Sequence, residues 1–209
     1  MNQSKVIVSL DNPNHPGWLK LEASLKRHGW KYHPIIREWK GFGTKIIGLY
    51  EYLKSNDVNN FVYLDAYDNH CIGGPAELDY KPKLHPLILS TEKGCYPDIQ
   101  NLGKFPTVDH DWKYINSGQI YGTKEAFMQV YESNPPKFED DDQRWYTERF
   151  FDMRGTIGLD YCNIFQSIAF EVEGDFEIRY NRIYNKITHT FPMFIHGNGK
   201  TDMTKFYAL

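Results

Sequence analysis

Phe61-Val-Tyr-Leu-Asp65-Ala-Tyr67-Asp68 reads as a buried strand that runs out into two carboxylates. The apolar residues predict a strand, and the acids follow it at i and i+3 with an aromatic between them. A strand ending in this way delivers two oxygen ligands to one point at a sheet edge. Hard divalent cations such as Mg²⁺ or Mn²⁺ are usually held so, sharing their coordination with a substrate's phosphates. A plainer reading fits the same residues: one acid caps the next helix and the other is solvated.

Working outward, Val6–Leu10 predicts a first strand and Asp11-Asn-Pro-Asn-His-Pro16 a turn. Trp18, Leu19, Leu21 and Leu25 then recur at helical spacing, and His28-Gly29 ends that helix before a second strand over Tyr32–Ile36. A β-α-β opening predicts an α/β fold with a mostly parallel sheet flanked by helices. Trp39-Lys-Gly41-Phe-Gly43-Thr-Lys45 is a glycine-containing loop before a helix over Lys45–Lys54. Its amides and lysine suit an anion, although an ordinary cap reads the same way.

Leu87–Ser90 predicts a fourth strand, with Glu92 and Tyr96 in a loop at the same sheet edge, and Tyr114–Gly122 a fifth that opens on Asn116 and Ser117. Glu125–Glu132 and Trp145–Phe151 predict helices, the second preceded by the acids of Phe138-Glu-Asp-Asp-Asp142-Gln143. Acid runs of this kind are most often solvated helix starts. Phe191–Ile195 predicts a last strand, ending at His196-Gly197-Asn198-Gly199-Lys200. Neither a repeat nor a composition break divides the chain, so residues 1–209 are expected to form a single domain.

Bulk properties exclude several classes. The length of 209 residues suffices for a sizeable core, and 41% hydrophobic with 24% charged residues argues against disorder. A net charge of −3 offers no basic field for nucleic acid or an anionic membrane. The three cysteines, Cys71, Cys95 and Cys162, form no C-x-x-C pair, so neither a zinc site nor a disulfide framework is expected. With neither a signal-peptide core nor a membrane-spanning run, the expectation is a soluble, cytoplasmic protein, which would suit a viral or bacterial enzyme.

In an open α/β sheet ligands gather at the carboxyl ends of the strands, where Asp65/Asp68, Asp140–Asp142 and His196 could converge. One imidazole with two carboxylates suits Mn²⁺ better than Ca²⁺. Backbone at Gly197-Asn198-Gly199 could approach a phosphate closely, with Lys200 to neutralise it. Gly199-Lys200-Thr201 is no P-loop, because the first glycine of that motif would fall at Phe194.

The order of motifs resembles the glycosyltransferase domain of the procollagen lysyl hydroxylase/glycosyltransferase enzymes along nearly the whole chain. The series runs Asp65-Ala-Tyr-Asp68, Gly73-Gly-Pro-Ala-Glu-Leu78, Leu89-Ser-Thr-Glu92-Lys-Gly-Cys95-Tyr-Pro97 and Tyr114-Ile-Asn116-Ser117-Gly118. It continues through Asp140-Asp-Asp142-Gln143 with Tyr146-Thr147, Leu159-Asp160 with Ile164-Phe165-Gln166, and His196-Gly-Asn-Gly199.

The resemblance implies a GT-A fold, a UDP-sugar donor and Mn²⁺, with Mg²⁺ an alternative. It implies Asp65, Asp68 and His196 as metal ligands and Tyr67 near the uracil, with Ser9 close by. Trp39 and Lys45 match donor-site positions, as do Glu92, Tyr96 and the Gly197–Lys200 turn. Asp141, Asp142, Asn116 and Gln143 match positions around the transferred sugar and acceptor. Tyr96 stands where the family carries tryptophan, and Lys200 follows Gly199 directly where the family has intervening residues. The implied reaction is hexosyl transfer, glucose first, to galactosyl-hydroxylysine of a collagen-like protein. UDP-galactose or another glycan acceptor is the alternative, and a non-catalytic UDP-sugar or glycan-binding module the second. The chain carries no counterpart of the hydroxylase domain, so hydroxylation is expected of another protein, and a homodimer would cover the surface that domain occupies.

Overall fold

The computed structural model describes residues 4–169 and 174–209, without the side chain of Lys200. Strand β1 (Lys5–Leu10) leads through the Asp11–His15 turn into α1 (Pro16–Arg27). Proline suits the first helical turn, where its missing N–H would have had no partner, and the His15 side chain caps the helix by accepting from Gly17 N–H at 3.1 Å. Trp18, Leu21, Ser24 and Leu25 turn inward at helical spacing, and Gly29 leaves the helix at φ 74°.

The chain continues through β2 (Tyr32–Ile36), α2 (Gly43–Ser55), β3 (Asn60–Asp65), β4 (Asn69–Cys71), α3 (Pro75–Leu78) and β5 (Leu87–Glu92). There follow β6 (Tyr114–Thr123), α4 (Lys124–Ser133), α5 (Asp142–Asp152), β7 (Ile157–Asp160) and β8 (Phe165–Ser167). A hairpin of β9 (Phe176–Arg179) and β10 (Arg182–Asn185) precedes β11 (Phe194–His196).

Among the described residues the main sheet has six strands in the order β2-β1-β3-β6-β5-β7. All run parallel except β6, which is antiparallel to both its neighbours. Both faces of this sheet are covered, which explains strands that are apolar throughout rather than alternating. Ile7, Phe61, Tyr63, Leu87 and Leu89 pack with Ile46, Leu49 and Leu53 of α2, Phe127 and Val130 of α4, and Tyr146 and Phe150 of α5. Val6, Val8, Val62, Leu64 and Ile88 face the other way, onto Trp18, Leu21 and Leu25 of α1 and onto Phe165 and Phe194.

Two expectations are corrected here. Glu92 is the last residue of β5, not part of the loop beyond it. The strand expected over Phe191–Ile195 is shorter, Phe194–His196, and joins β4 and β8 in a separate three-stranded sheet. Pro192 has no N–H for a ladder. The carbonyls of Phe191 and Pro192 are taken by side chains, Lys81 on the first at 2.6 Å and Arg182 on the second at 2.6 Å.

This small sheet places the site. His196 pairs with Asn69 across the antiparallel β4–β11 ladder, and Gly197 N–H donates to the Asp68 carbonyl at 2.8 Å. The two ends of the chain's candidate metal motif are thereby tied together through backbone.

Candidate active site

Asp65, Asp68 and His196 each offer a ligand atom, and these atoms lie within 4.8 Å of one another. Asp65 ends β3, Asp68 follows in the bend, and His196 ends β11. Beneath them β6 departs from register: Leu89 pairs with Ile120 but the next residue, Ser90, pairs with Asn116. The residues between, Ser117-Gly118-Gln119, bulge toward the site, a common device for re-aiming a strand beside functional groups. Gly118 is needed there. A Cβ on it would lie 2.2 Å from His196 Cε1 and 2.9 Å from Asp65 Oδ2.

Charge is concentrated. Among the described residues the buried or half-buried carboxylates of Asp65, Asp68, Asp142 and Glu92 gather about the buried side chains of Lys45 and His196. Lys45 Nζ lies 2.9 Å from Asp65 Oδ1 and 2.6 Å from Asp142 Oδ2. Burial works against its charge, but the facing Asp142 and Asp65 hold its pKa well above the ordinary value. Burial raises the Asp65 carboxyl against the pull of Lys45, and crowding by Asp68 and Asp142 adds to the rise. For Asp68 burial loses to the neighbouring His196, and its pKa is lowered.

The donor set fits a hard or borderline divalent cation, two carboxylates and one imidazole. His196 Nε2 supplies the structural sign. It is buried, 3.1 Å from Asp68 Oδ1, and has no aligned hydrogen bond of its own.

Beside these residues opens a cavity of about 320 Å³, lined by Ser9, Leu10, Asp11, Trp39, Phe42, Lys45, Asp65, Ala66, Tyr67 and Asp68. Tyr67 is held in place from behind. Its hydroxyl accepts from the amides of Asp11 and Asn12 at 3.1 and 2.9 Å and donates to the Asp11 carboxylate, while His15 lies 4.0 Å from its ring. Trp39 and Phe42 meet edge to face at 5.4 Å and are half exposed. Aromatic walls around a cavity with a few convergent polar groups are the usual make-up of a nucleotide-sized site.

The glycine loop does another job than the expected anion cradle. Gly43 N–H is spent on the Phe138 carbonyl at 3.1 Å, Thr44 N–H on Gly41 and Lys45 N–H on Phe42. Both glycines are there for close approach: a Cβ on Gly41 would meet the Phe138 carbonyl oxygen at 2.2 Å, and one on Gly43 the Lys137 carbonyl oxygen at 1.9 Å. The loop thus seats α2 against the segment leading to the acid run, and Lys45 contributes through its side chain.

The acid run divides by role. Asp140 accepts from Lys137 N–H at 2.8 Å, closing a turn. Asp141 is the N-cap of α5, accepting from Arg144 N–H at 2.8 Å, which is the common role of an acid at a helix start. Asp142 turns inward to Lys45.

Glu92 anchors the opposite wall. Its Oε1 accepts from Asn116 Nδ2 at 3.2 Å and Gln143 Nε2 at 2.8 Å, and its Oε2 from Asn198 Nδ2 at 2.7 Å. Burial raises its pKa, and these three amides oppose the rise. Gln143 also donates to the Tyr96 carbonyl at 2.8 Å and accepts from Ser117 N–H at 3.3 Å. Asn198 accepts from Ser167 Oγ at 2.6 Å. Asn116, Gln143 and Asn198 are therefore committed to one internal network, while the Tyr96 ring is 67% exposed beside it. Gly197 packs so closely on Met203 that a Cβ would lie 2.5 Å from Met203 Cγ, and Gly199 sits at φ 67°. The Lys200 side chain lies outside the described residues.

Asp11, Phe42 and Gly118 were not anticipated as site residues. Asp11 was findable, because it follows the carboxyl end of β1. Phe42 sits between two glycines, and only the fold shows which way it turns. Gly118 needed the β6 irregularity to be seen.

The family model described as PLOD GT domain matches residues 26–207. An uncharacterised protein, R699 of Acanthamoeba polyphaga mimivirus, is 32% identical over 88% of this chain and 43% of its own length. Procollagen-lysine,2-oxoglutarate 5-dioxygenase 1 of Gallus gallus is 31% identical over 98% of this chain and 31% of its own length. The human multifunctional procollagen lysine hydroxylase and glycosyltransferase LH3 is 30% identical over 70% of this chain and 21% of its own length. The chain thus spans less than half of each of these relatives.

Among solved structures, the galactosyltransferase LgtC in complex with donor and acceptor sugar analogs aligns with a TM-score of 0.51 at 13% identity, over 98% of this chain and 94% of that one. The WbbM bifunctional glycosyltransferase aligns with a TM-score of 0.53 at 12% identity, over 99% and 49%. At these identities the likeness is one of fold, and that fold is GT-A. With a family model matching residues 26–207 and a relative 31% identical over 98% of this sequence, the chain belongs to the glycosyltransferase-domain family of the procollagen lysyl hydroxylases.

Proposed function

We propose that the chain is a Mn²⁺-dependent hexosyltransferase that moves a sugar, glucose in the first instance, from a UDP-sugar to an acceptor hydroxyl. The acceptor we propose is galactosyl-hydroxylysine in a collagen-like protein. One observation carries the reading: Asp65, Asp68 and His196 offer ligand atoms within 4.8 Å of one another, and the two aspartates also line the aromatic-walled cavity.

In this reading the uracil lies in the cavity against Tyr67, with Trp39 and Phe42 opposite. Its diphosphate reaches Asp65, Asp68 and His196, and a cation bound by those residues would neutralise charge building on the UDP leaving group. Lys45 adds a fixed positive charge from the protein, preorganised by its two carboxylate partners. Asp142 presents its carboxylate where the sugar carbon acquires oxocarbenium-like character, and so stabilises it. Leaving-group departure needs no proton from the chain, and the acceptor hydroxyl's proton passes to a carboxylate at this wall.

The test is UDP release with Mn²⁺, comparing UDP-glucose, UDP-galactose and other UDP-sugars, with and without a galactosyl-hydroxylysine peptide. Peptide-dependent release from UDP-glucose is expected. Release from UDP-galactose instead would change the donor. Tight, metal-dependent UDP binding with turnover of no donor would make the chain a binding module.

A further inference from the structure

We infer that Asn116 is a positioning residue that fixes His196 in the Nδ1–H tautomer, so that the Nε2 lone pair points at the cation site. The inference rests on the proposed metal function.

Gly118 N–H is a donor with no alternative role, and it lies 3.0 Å from Asn116 Oδ1. The atom facing it is therefore the amide's oxygen and not its NH₂. The other end agrees, because Asn116 Nδ2 reaches the Glu92 carboxylate at 3.2 Å. With the amide oriented from both ends, its oxygen also faces His196 Nδ1 at 2.8 Å. An oxygen there can only accept, so Nδ1 donates. An imidazole that ligates a cation is neutral and carries one N–H, so with Nδ1 donating its lone pair is on Nε2. That nitrogen is the buried, unaligned atom beside Asp68.

Without Asn116 the tautomer would reverse. Asp68 lies 3.1 Å away on the Nε2 side, and a carboxylate draws the imidazole proton toward itself. A ring protonated at Nε2 is closed to a metal. Asn116 offers the proton a better place on the far side of the ring, and Glu92 keeps Asn116 from flipping. Partners that orient a ligating histidine in this manner typically carry a 10- to 100-fold effect on metal affinity. The ring also has no freedom to escape the arrangement, since it rests on Gly118 and is 3% exposed.

The experiment uses the full chain labelled with ¹⁵N-histidine and loaded with diamagnetic Mg²⁺. Long-range ¹H–¹⁵N correlation should show the His196 proton on Nδ1, and Mn²⁺ titration followed by electron paramagnetic resonance should show Asn116→Ala binding about 10- to 100-fold more weakly than wild type. In the cation-free variant the proton should move to Nε2, a shift that a merely structural role would not produce. A wild-type His196 protonated on Nε2 in the Mg²⁺ form, or equal Mn²⁺ affinity in wild type and Asn116→Ala, overturns the inference. The first of these readouts needs no variant and stands if Asn116→Ala does not fold. Failure of wild type to bind either cation would instead remove the proposed metal function, and this inference with it.

Discussion

At the scale of single residues, the site is built from side chains whose neighbours leave them few choices. Gly118 is the sharpest instance. Its missing Cβ is the space that His196 and Asp65 occupy, 2.2 and 2.9 Å from where that carbon would be. Gly118→Ala should push His196 off its position, weakening Mn²⁺ binding while the rest of the fold stays intact. Unchanged Mn²⁺ affinity by titration would show that the ring relaxes freely. Asp142 makes a different prediction. Asp142→Asn keeps the side chain's shape and loses its charge beside Lys45, so UDP binding with Mn²⁺ should survive while turnover falls on the order of 10²- to 10³-fold. Equal turnover in a UDP-release assay would remove Asp142 from the chemistry. Asp68→Ala, by contrast, deletes a proposed ligand and should abolish metal-dependent UDP binding outright. A variant that keeps full activity would refute the metal assignment.

At the scale of elements, caps and turns separate the acids that hold structure from those that face the cleft. Asp141 caps α5, so Asp141→Ala should cost about 1 kcal/mol in urea unfolding and leave more transfer activity than Asp142→Asn. A loss of activity equal to that of Asp142→Asn would put Asp141 back at the reaction centre. Asp160 shows the same division in a buried turn. Its carboxylate gathers the amides of Asn163, Ile164 and Phe165 between β7 and β8, while burial pushes its pKa up to about 6. A carboxyl raised in the folded state binds its proton more tightly there than in the unfolded chain. Its contribution to stability is then complete below about pH 4 and is lost as pH rises through about 6, a change of about 3 kcal/mol. Asp160→Asn does not titrate. The stability of wild type relative to this variant should therefore fall between about pH 4 and about pH 6.5, and a flat difference across that range would show that the three amides outweigh burial.

These elements also show what the sequence could and could not reveal. The strand Phe61–Leu64 was legible as a short unbroken apolar run, and the helix of Trp18, Leu21 and Leu25 by its periodic spacing, both signals local to one segment. The convergence of Asp65, Asp68 and His196 was legible only through the strand-end rule and the order of motifs, since His196 is separated from Asp68 by most of the chain. What stayed hidden is what depends on contacts between segments. The glycines of the Trp39–Lys45 loop look like an anion cradle until the Lys137–Phe138 carbonyls appear against them. That Asn116, Gln143 and Asn198 meet at Glu92 is visible only once the fold has brought their segments together. No spacing rule encodes a hub drawn from four separate segments.

For the molecule as a whole, crowded and only partly compensated negative charge is decisive. Sheet and helices together bring Asp65, Asp68, Asp142 and Glu92 to one cleft, and burial raises the pKa of Asp65 and Glu92 within it. Carboxylates confined in this way repel one another and weaken the folded state unless a cation offsets them. The fold should therefore be measurably less stable without metal than with it, because a ligand that binds only the native state stabilises by RT ln(1 + [L]/Kd). At 100 times Kd this amounts to about 2.7 kcal/mol. For a chain of this size each kcal/mol raises Tm by about 2–4 °C, so Mn²⁺ should lift the transition by roughly 5–11 °C, and UDP added with it further. Excess chelator should return the transition to its starting point. Asp65→Asn supplies the control from the opposite direction, because burial holds the pKa of that carboxyl up. Removing one of the confined charges should raise the metal-free Tm and at the same time cancel the Mn²⁺-dependent rise. If the variant melts lower without metal, or rises with Mn²⁺ as wild type does, the carboxylates are stabilised by Lys45 and their amide partners alone, and the cleft does not depend on a cation.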